Sequence, residues 1–192
     1  MASTKKIIGV SGSLRTKSCN TGLLRYYKQV LAEKGVELEI VEIGDLPLYN
    51  ADLDPSPTNG LSFPATVQRW RKSVEEADAF VIAVPEHNFS VPAALKNAID
   101  WASRTAPGAS KNPFTGQKKV ALVGAAGGAL STRSQHHFRQ IAVFLDLYVL
   151  NSPQVLVNCY APGTFDADGN LIDSGKQDCI RAQADAFLQW IQ

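Results

Sequence analysis

Two stretches of the chain are rich in residue types that could bind a small ligand. The first, Ser11-Gly12-Ser13-Leu14-Arg15-Thr16-Lys17-Ser18-Cys19-Asn20, offers four hydroxyls, a guanidinium, and small residues that let main chain approach a ligand. Residues at helical spacing follow it, so the N–H groups and positive dipole end of a helix would join these groups, and together they suit a phosphate. Ser/Thr-rich turns also cap helices with no ligand at all. Arg15 tips the balance, because a cation at a helix start opposes the dipole unless an anion lies between them. Neither G-x-x-x-x-G-K-[ST] nor G-x-G-x-x-G is present here, which argues against a nucleoside triphosphate or a Rossmann dinucleotide and favours a lone phosphomonoester. The second stretch is Pro85-Glu86-His87-Asn88-Phe89-Ser90, and a third loop, Gly124-Ala125-Ala126-Gly127-Gly128, is rich in small residues.

Other chemistry-bearing patterns are weaker. Cys19 and Arg25 form the C-x5-R spacing of a phosphatase loop, in which a thiolate attacks phosphorus. Such a loop runs directly from strand to helix, whereas Cys19 lies nine residues beyond Val10 and Leu23-Leu24 look helical and core-facing. Asp166-Ala167-Asp168-Gly169-Asn170 hints at a calcium loop, but its Gly comes fourth where an EF-hand needs it sixth, and position twelve is Gln177; a hairpin turn accounts for it better. The adjacent His136 and His137 would point about 100° apart on a helix, which makes a poor metal pair and suits surface or subunit contacts.

The elements that must position these loops are legible from periodicity. Ile7-Ile8-Gly9-Val10 reads as a buried strand, followed by a helix on Leu23, Leu24, Tyr27, Val30 and Leu31, with Ser18 or Asn20 as its cap and Gly35 as its stop. Leu38–Val41 is a second strand. A Pro/Asp/Asn/Gly-rich loop from 44 to 64 leads to a helix on Val67, Trp70, Val74 and Ala77. Ala79–Val84 is the most apolar strand and is cut off by Pro85, and Ser90 is expected to cap a third helix carrying Pro92 in its first turn. Lys119–Val123 and Val155–Val157 read as strands four and five. Phe138, Ile141, Ala142 and Leu145 mark helix four, and Ile180, Ala184, Phe187, Leu188 and Ile191 line a closing helix.

Five apolar strands alternating with five amphipathic helices predict an α/β doubly wound parallel sheet covered on both faces, in the flavodoxin-like order 2-1-3-4-5, within a single domain over 1–192. In that order the topological switch lies between strands one and three, so ligand should sit at their C-terminal ends, where the first two loops fall.

At this point three motifs converge. Gly12-Ser13-Leu14-Arg15-x-x-Ser18-x-Asn20 resembles the phosphate loop of the NAD(P)H-dependent FMN reductase family, Pro85 to Trp101 is similar to that family's P-E-Y-N-x-S-x-P-x-x-L-K-N-A-x-D-W, and Arg133-Ser134-Gln135-x-x-x-Arg139-Gln140 resembles its next block. The resemblance covers roughly residues 5 to 160. It implies FMN as bound cofactor and NAD(P)H as co-substrate, with quinones, free flavins, azo dyes or chromate as acceptors. By position, it places Ser13, Arg15, Ser18, Asn20 and Thr21 at the phosphate, Pro85, Glu86, His87 and Asn88 beside the ring, and Gly127 and Gly128 on the ring's pyrimidine side. His87 stands where the family usually has Tyr. Leu95, Ala98, Ile99 and Trp101 read as core, outside the site. FMN would carry the hydride chemistry, so no catalytic side chain is implied, and one FMN-sized phosphate site predicts ping-pong, two-electron turnover. The resemblance also implies a homodimer or homotetramer. Arg133 keeps the tetramer pattern, whereas His136 and Gln154 depart from the Tyr and Glu often found there.

Composition closes off other classes. The 192 residues carry 19 Lys+Arg against 18 Asp+Glu, so no overall field favours nucleic acid or an anionic membrane. Near neutrality also disfavours an FMN-holding electron carrier of flavodoxin type, which tends to be acidic in order to dock on basic partners. Cys19, Cys159 and Cys179 are odd in number and lack C-x-x-C spacing, which fits a reducing, cytoplasmic compartment. The apolar run after Lys6 is too short for a signal segment or a membrane span.

Overall fold

The computed structural model describes residues 5–192. Along the chain run β1 (Ile7–Ser11), α1 (Cys19–Glu33), β2 (Leu38–Val41), α2 (Ala65–Glu76), β3 (Ala79–Ala83), α3 (Ala93–Ala102), β4 (Lys119–Ala126), α4 (Thr132–Phe144), β5 (Tyr148–Val149), β6 (Val155–Asn158) and α5 (Ser174–Ile191). The sheet is parallel with order β2-β1-β3-β4-β5, and β6 also pairs with β4. This is the flavodoxin-like order expected from the sequence.

The fifth position is shared by two strands. β5 pairs with Lys119 and Val120 at the start of β4, and β6 pairs with Val123 to Ala126 at its end. The strand expected at Val155–Val157 is β6, whereas Tyr148–Val149 is two residues long and shows no period. β4 likewise runs three residues further than its apolar core, through Gly124-Ala125-Ala126, so only Gly127 and Gly128 remain in the loop.

Strand alternation assigns the two faces. Ile8, Val10, Phe80, Ile82, Val120 and Leu122 point into one core with Val67 and Trp70 of α2, Leu95 and Trp101 of α3 and Phe138 of α4. Ile7, Val81, Ala83, Ala121, Val123 and Ala125 point into the other, against Leu23, Tyr27 and Leu31 of α1 and Ile180 and Phe187 of α5. The small residues on this second face let α1 cross close to β4. Here α1 is pressed further by the loop from 166 to 170: a Cβ on Gly22 would lie 1.7 Å from the Gly169 carbonyl oxygen, so no side chain is tolerated there. That loop is the hairpin turn expected, with Phe165 bridging Leu171 and the Asp166 carboxylate accepting from the main chain of Asp168 and Asn170.

The long loop after β2 is held by α3. Asn97 accepts from the Tyr49 N–H at 2.7 Å and donates to the Pro47 carbonyl at 2.9 Å, which also receives the Trp101 indole N–H at 2.8 Å. The L-K-N-A-I-D-W block is therefore framework: Leu95, Ala98, Ile99 and Trp101 are buried, as expected. Ser90 does not cap α3. The helix starts at Ala93 after Pro92 without a side-chain cap, and Ser90 instead pairs with His87 across a tight turn. Among the described residues, no helix is long and apolar enough to cross a membrane.

Candidate functional site

At the end of β1 the chain turns through Gly12, whose N–H donates to the Ala83 carbonyl of β3 at 2.9 Å. A Cβ on Gly12 would lie 2.8 Å from Pro92 and 2.9 Å from Pro85, so this glycine is what lets the two loops at the switch point close on one another. Pro85 is buried in that contact.

The loop then folds onto the start of α1. Ser18 caps the helix by accepting from the N–H groups of Asn20 and Thr21, at 3.2 and 3.4 Å. Ser11 accepts from the Ser13 N–H at 3.2 Å and from the Thr21 hydroxyl at 3.0 Å. The result is a cavity of about 310 Å³ lined by Ser11, Ser13, Leu14, Arg15, Thr16 and Thr21, closed on its far side by Ile40 to Gly44 at the end of β2. Ser13, Arg15 and Thr21 are thus brought together as expected, and Ser11 joins them. Ser18 and Asn20 are buried behind them. Asn20 has a different partner from the one expected: its amide donates to the Ala125 carbonyl and accepts from the Ala125 N–H, each at 2.9 Å, which locks the first turn of α1 to β4.

On the other side of the end of β3, Glu86, Asn88, Phe89 and Ala126 to Ala129 line a second cavity of about 580 Å³. A Cβ on Gly128 would meet nothing within 4 Å, and one on Gly127 would lie 3.4 Å from the Tyr160 ring, so the loop presents bare main chain to this space. Glu86 holds the frame: its carboxylate accepts from the N–H groups of Arg133 and Ser134 at 2.9 and 3.1 Å, capping α4 where a carboxylate also complements the dipole. Its side chain is only 5% exposed. Ser134 and Gln135 complete that frame through the carbonyls of Val84 and Val155. The R-S-Q block is therefore the support of the site.

His87 is separated from these residues. It borders an open cavity of about 860 Å³ with Ser90, Lys96 and His137, whose Nδ1 lies 3.0 Å from the Ser90 hydroxyl, while Asn88 lines both spaces. Three residues escaped the sequence reading. Ser11 and Phe89 lie inside the stretches singled out and carried a signal, whereas Tyr160 follows the strand read at Val155–Val157 and meets Gly127 once that strand, β6, has paired with β4.

The thiol at Cys19 is not arranged for nucleophilic attack. Burial pushes it above the usual thiol range, with Arg15 and Arg25 only partly opposing, whereas a phosphatase needs a thiolate. Arg25 is committed elsewhere, donating to Asn170 at 2.7 Å and to the Asp168 carbonyl at 3.1 Å. Cys19→Ser is accordingly expected to change the chain's catalytic turnover by no more than about a few-fold, measured by steady-state assay of the variant beside wild type.

The donor set fits FMN. A guanidinium and hydroxyls at a helix N-terminus match a phosphomonoester, and a neighbouring, largely uncharged cavity edged by bare main chain matches a planar ring. A parallel 2-1-3-4-5 sheet with these loops at its switch point defines the flavodoxin-like class. A family model described as NADPH-dependent FMN reductase matches residues 5–162. The chain is 40% identical over 193 residues to an NAD(P)H-dependent FMN reductase of Pseudomonas aeruginosa, covering 100% of this chain and 98% of that protein. It is 43% identical over 180 residues to an NAD(P)H:quinone oxidoreductase of Solanum tuberosum, covering 92% and 88%. The flavoenzyme NAD(P)H:(acceptor) oxidoreductase FerB of Paracoccus denitrificans superposes with a TM-score of 0.81 at 29% identity, covering 97% of each chain. The chain belongs to the NADPH-dependent FMN reductase family.

Proposed function

We propose that this chain, by family an FMN-dependent NAD(P)H oxidoreductase, reduces quinones, with donor and acceptor taking turns in one slot over the cavity edged by Asn88, Phe89 and Gly127-Gly128. The observation that carries this reading is the pairing of a hydroxyl- and guanidinium-lined cavity with a glycine-edged one on either side of the end of β3. When bound, FMN supplies the chemistry of accepting hydride and passing on two electrons. Arg15 and the hydroxyls of Ser13, Ser18 and Thr21 would hold its phosphate. Ser18 accepts two N–H bonds and keeps its own proton free to donate. Asn20 fixes where that phosphate lies relative to β4. Pro85, Glu86 and Asn88 would border the ring, and the main chain of Gly127 and Gly128 its pyrimidine edge, where N–H groups favour negative charge. His87 would act from the adjoining cavity.

With no dinucleotide fingerprint for a second nicotinamide site, donor and acceptor must share the slot, which makes turnover ping-pong. Double-reciprocal plots of NADPH oxidation at several benzoquinone concentrations should be parallel, with each substrate competing against the other at high concentration. Intersecting lines would show both bound together and overturn the shared slot. A single domain that acts in the cytoplasm as a homo-oligomer completes the reading. It is supported by free thiols at Cys19, Cys159 and Cys179 and by Val143 and Phe144, both 81% exposed on α4.

A further inference from the structure

Phe89 stands out on two counts. The residues His87 to Ser90 form a tight turn closed by the His87 N–H on the Ser90 carbonyl at 3.1 Å and the Ser90 N–H on the His87 carbonyl at 3.0 Å. Asn88 and Phe89 at its centre have φ of 50° and 62°. Two central residues at positive φ are the mark of a type I′ turn, whose usual pair is Asn-Gly. Asn88 conforms, but Phe89 holds a bulky ring in the left-handed region where glycine is preferred. Phe89 is also 61% exposed, so burial does not offset the strain. Strain kept at the edge of a cavity points to function.

Arg133 supplies an independent observation. Its guanidinium carbon lies 3.9 Å from the centroid of the Phe89 ring. On its inner side Nη1 lies 3.7 Å from a Glu86 carboxylate oxygen, and the Arg133 side chain is 53% exposed against 5% for Glu86. The carboxylate therefore faces the first turn of α4, and with His136 and Gln154 standing where the tetramer pattern has Tyr and Glu, the Arg133 guanidinium keeps an open edge in this chain. Phe89 lines the glycine-edged cavity, and the Arg133 guanidinium lies against that ring. Nearby cations are engaged elsewhere: Lys96 is paired with Asp100 at 2.7 Å, and Arg15 belongs to the phosphate cavity.

We propose that Phe89 and Arg133 select the acceptor, the ring stacking on a planar quinone and the guanidinium recognising a sulfonate or carboxylate carried by it. This rests on the reading of the adjoining cavity as the flavin-ring site. Stacking on an aromatic face and charge-assisted bonding to an anionic substituent are separable contributions, and the guanidinium stacked on Phe89 makes each support the other.

The holoenzyme would be assayed with 1,4-naphthoquinone and its 2-sulfonate. Arg133→Gln should lower the ratio of kcat/KM for the sulfonate over the neutral quinone by about three- to ten-fold, and Arg133→Lys, which keeps the charge but not the plane, should recover part of it. Naphthalene-2-sulfonate, which accepts no electrons, gives a readout apart from turnover. Its Kd for the oxidised holoenzyme, followed through flavin absorbance, should rise by a similar factor in Arg133→Gln and in Phe89→Gly. Phe89→Gly should melt no lower than wild type, since relief of backbone strain offsets the lost ring contact. An unchanged ratio and Kd in Arg133→Gln, or a large fall in the melting temperature of Phe89→Gly, would overturn the proposal while leaving the flavin site intact. Wild-type protein that retained no FMN would overturn the site reading and this one with it.

Discussion

Arg15→Ala is expected to weaken FMN binding by roughly 10- to 150-fold, about 1.5–3 kcal/mol, the usual worth of hydrogen bonds to a charged group. The side chain is exposed and makes no hydrogen bond of its own among the described residues, where its main-chain N–H is engaged with Ser13 at 3.4 Å. Its removal should therefore cost the fold almost nothing, and the whole effect should appear in flavin titration of the apoprotein. Arg15→Lys would retain the charge but not the two-pronged geometry and should fall between the two. Unchanged affinity in Arg15→Ala would remove the residue from the site.

Asn20→Ala should produce the opposite pattern. The amide of Asn20 satisfies both the N–H and the carbonyl of Ala125, and all of these groups are buried. Truncation leaves two main-chain groups without partners and should cost about 2–4 kcal/mol, lowering the melting temperature of the apoprotein by about 4–16 °C for a chain of this size. FMN affinity should fall as well, because α1 is no longer locked to β4 and the phosphate donors lose their placement. A thermal melt of the apoprotein separates this from a direct contact. If the melt is unchanged while affinity falls, Asn20 is a phosphate ligand after all.

The contrast between these two residues shows what a sequence can and cannot disclose. Both fall in one ten-residue stretch, and the family resemblance implied both at the phosphate. The helix cap at Ser18, the turn at Gly12 and the stop at Gly35 depend on near neighbours, and they appeared where local rules put them. The partner of Asn20 lies 105 residues away on a strand it meets only after the sheet has assembled. Glu86 behaves likewise: the resemblance implied a place beside the ring, while its carboxylate accepts from the start of α4, 47 residues on. Tyr160 is brought to Gly127 by the pairing of β6 with β4, and β5 is too short to show any period. Periodicity and punctuation thus disclosed the sheet order and the two loops at its switch point. Which side chains in those loops face ligand, and which hold the loops together, depended on long-range pairing.

The most direct test is an absorption spectrum of the purified protein taken before and after anaerobic addition of NADPH. The account predicts a bound flavin whose visible absorbance is bleached by NADPH and restored in full by a stoichiometric amount of benzoquinone. A protein that retains no flavin when FMN is supplied, or whose bound flavin is bleached by dithionite but by neither NADPH nor NADH, would contradict it.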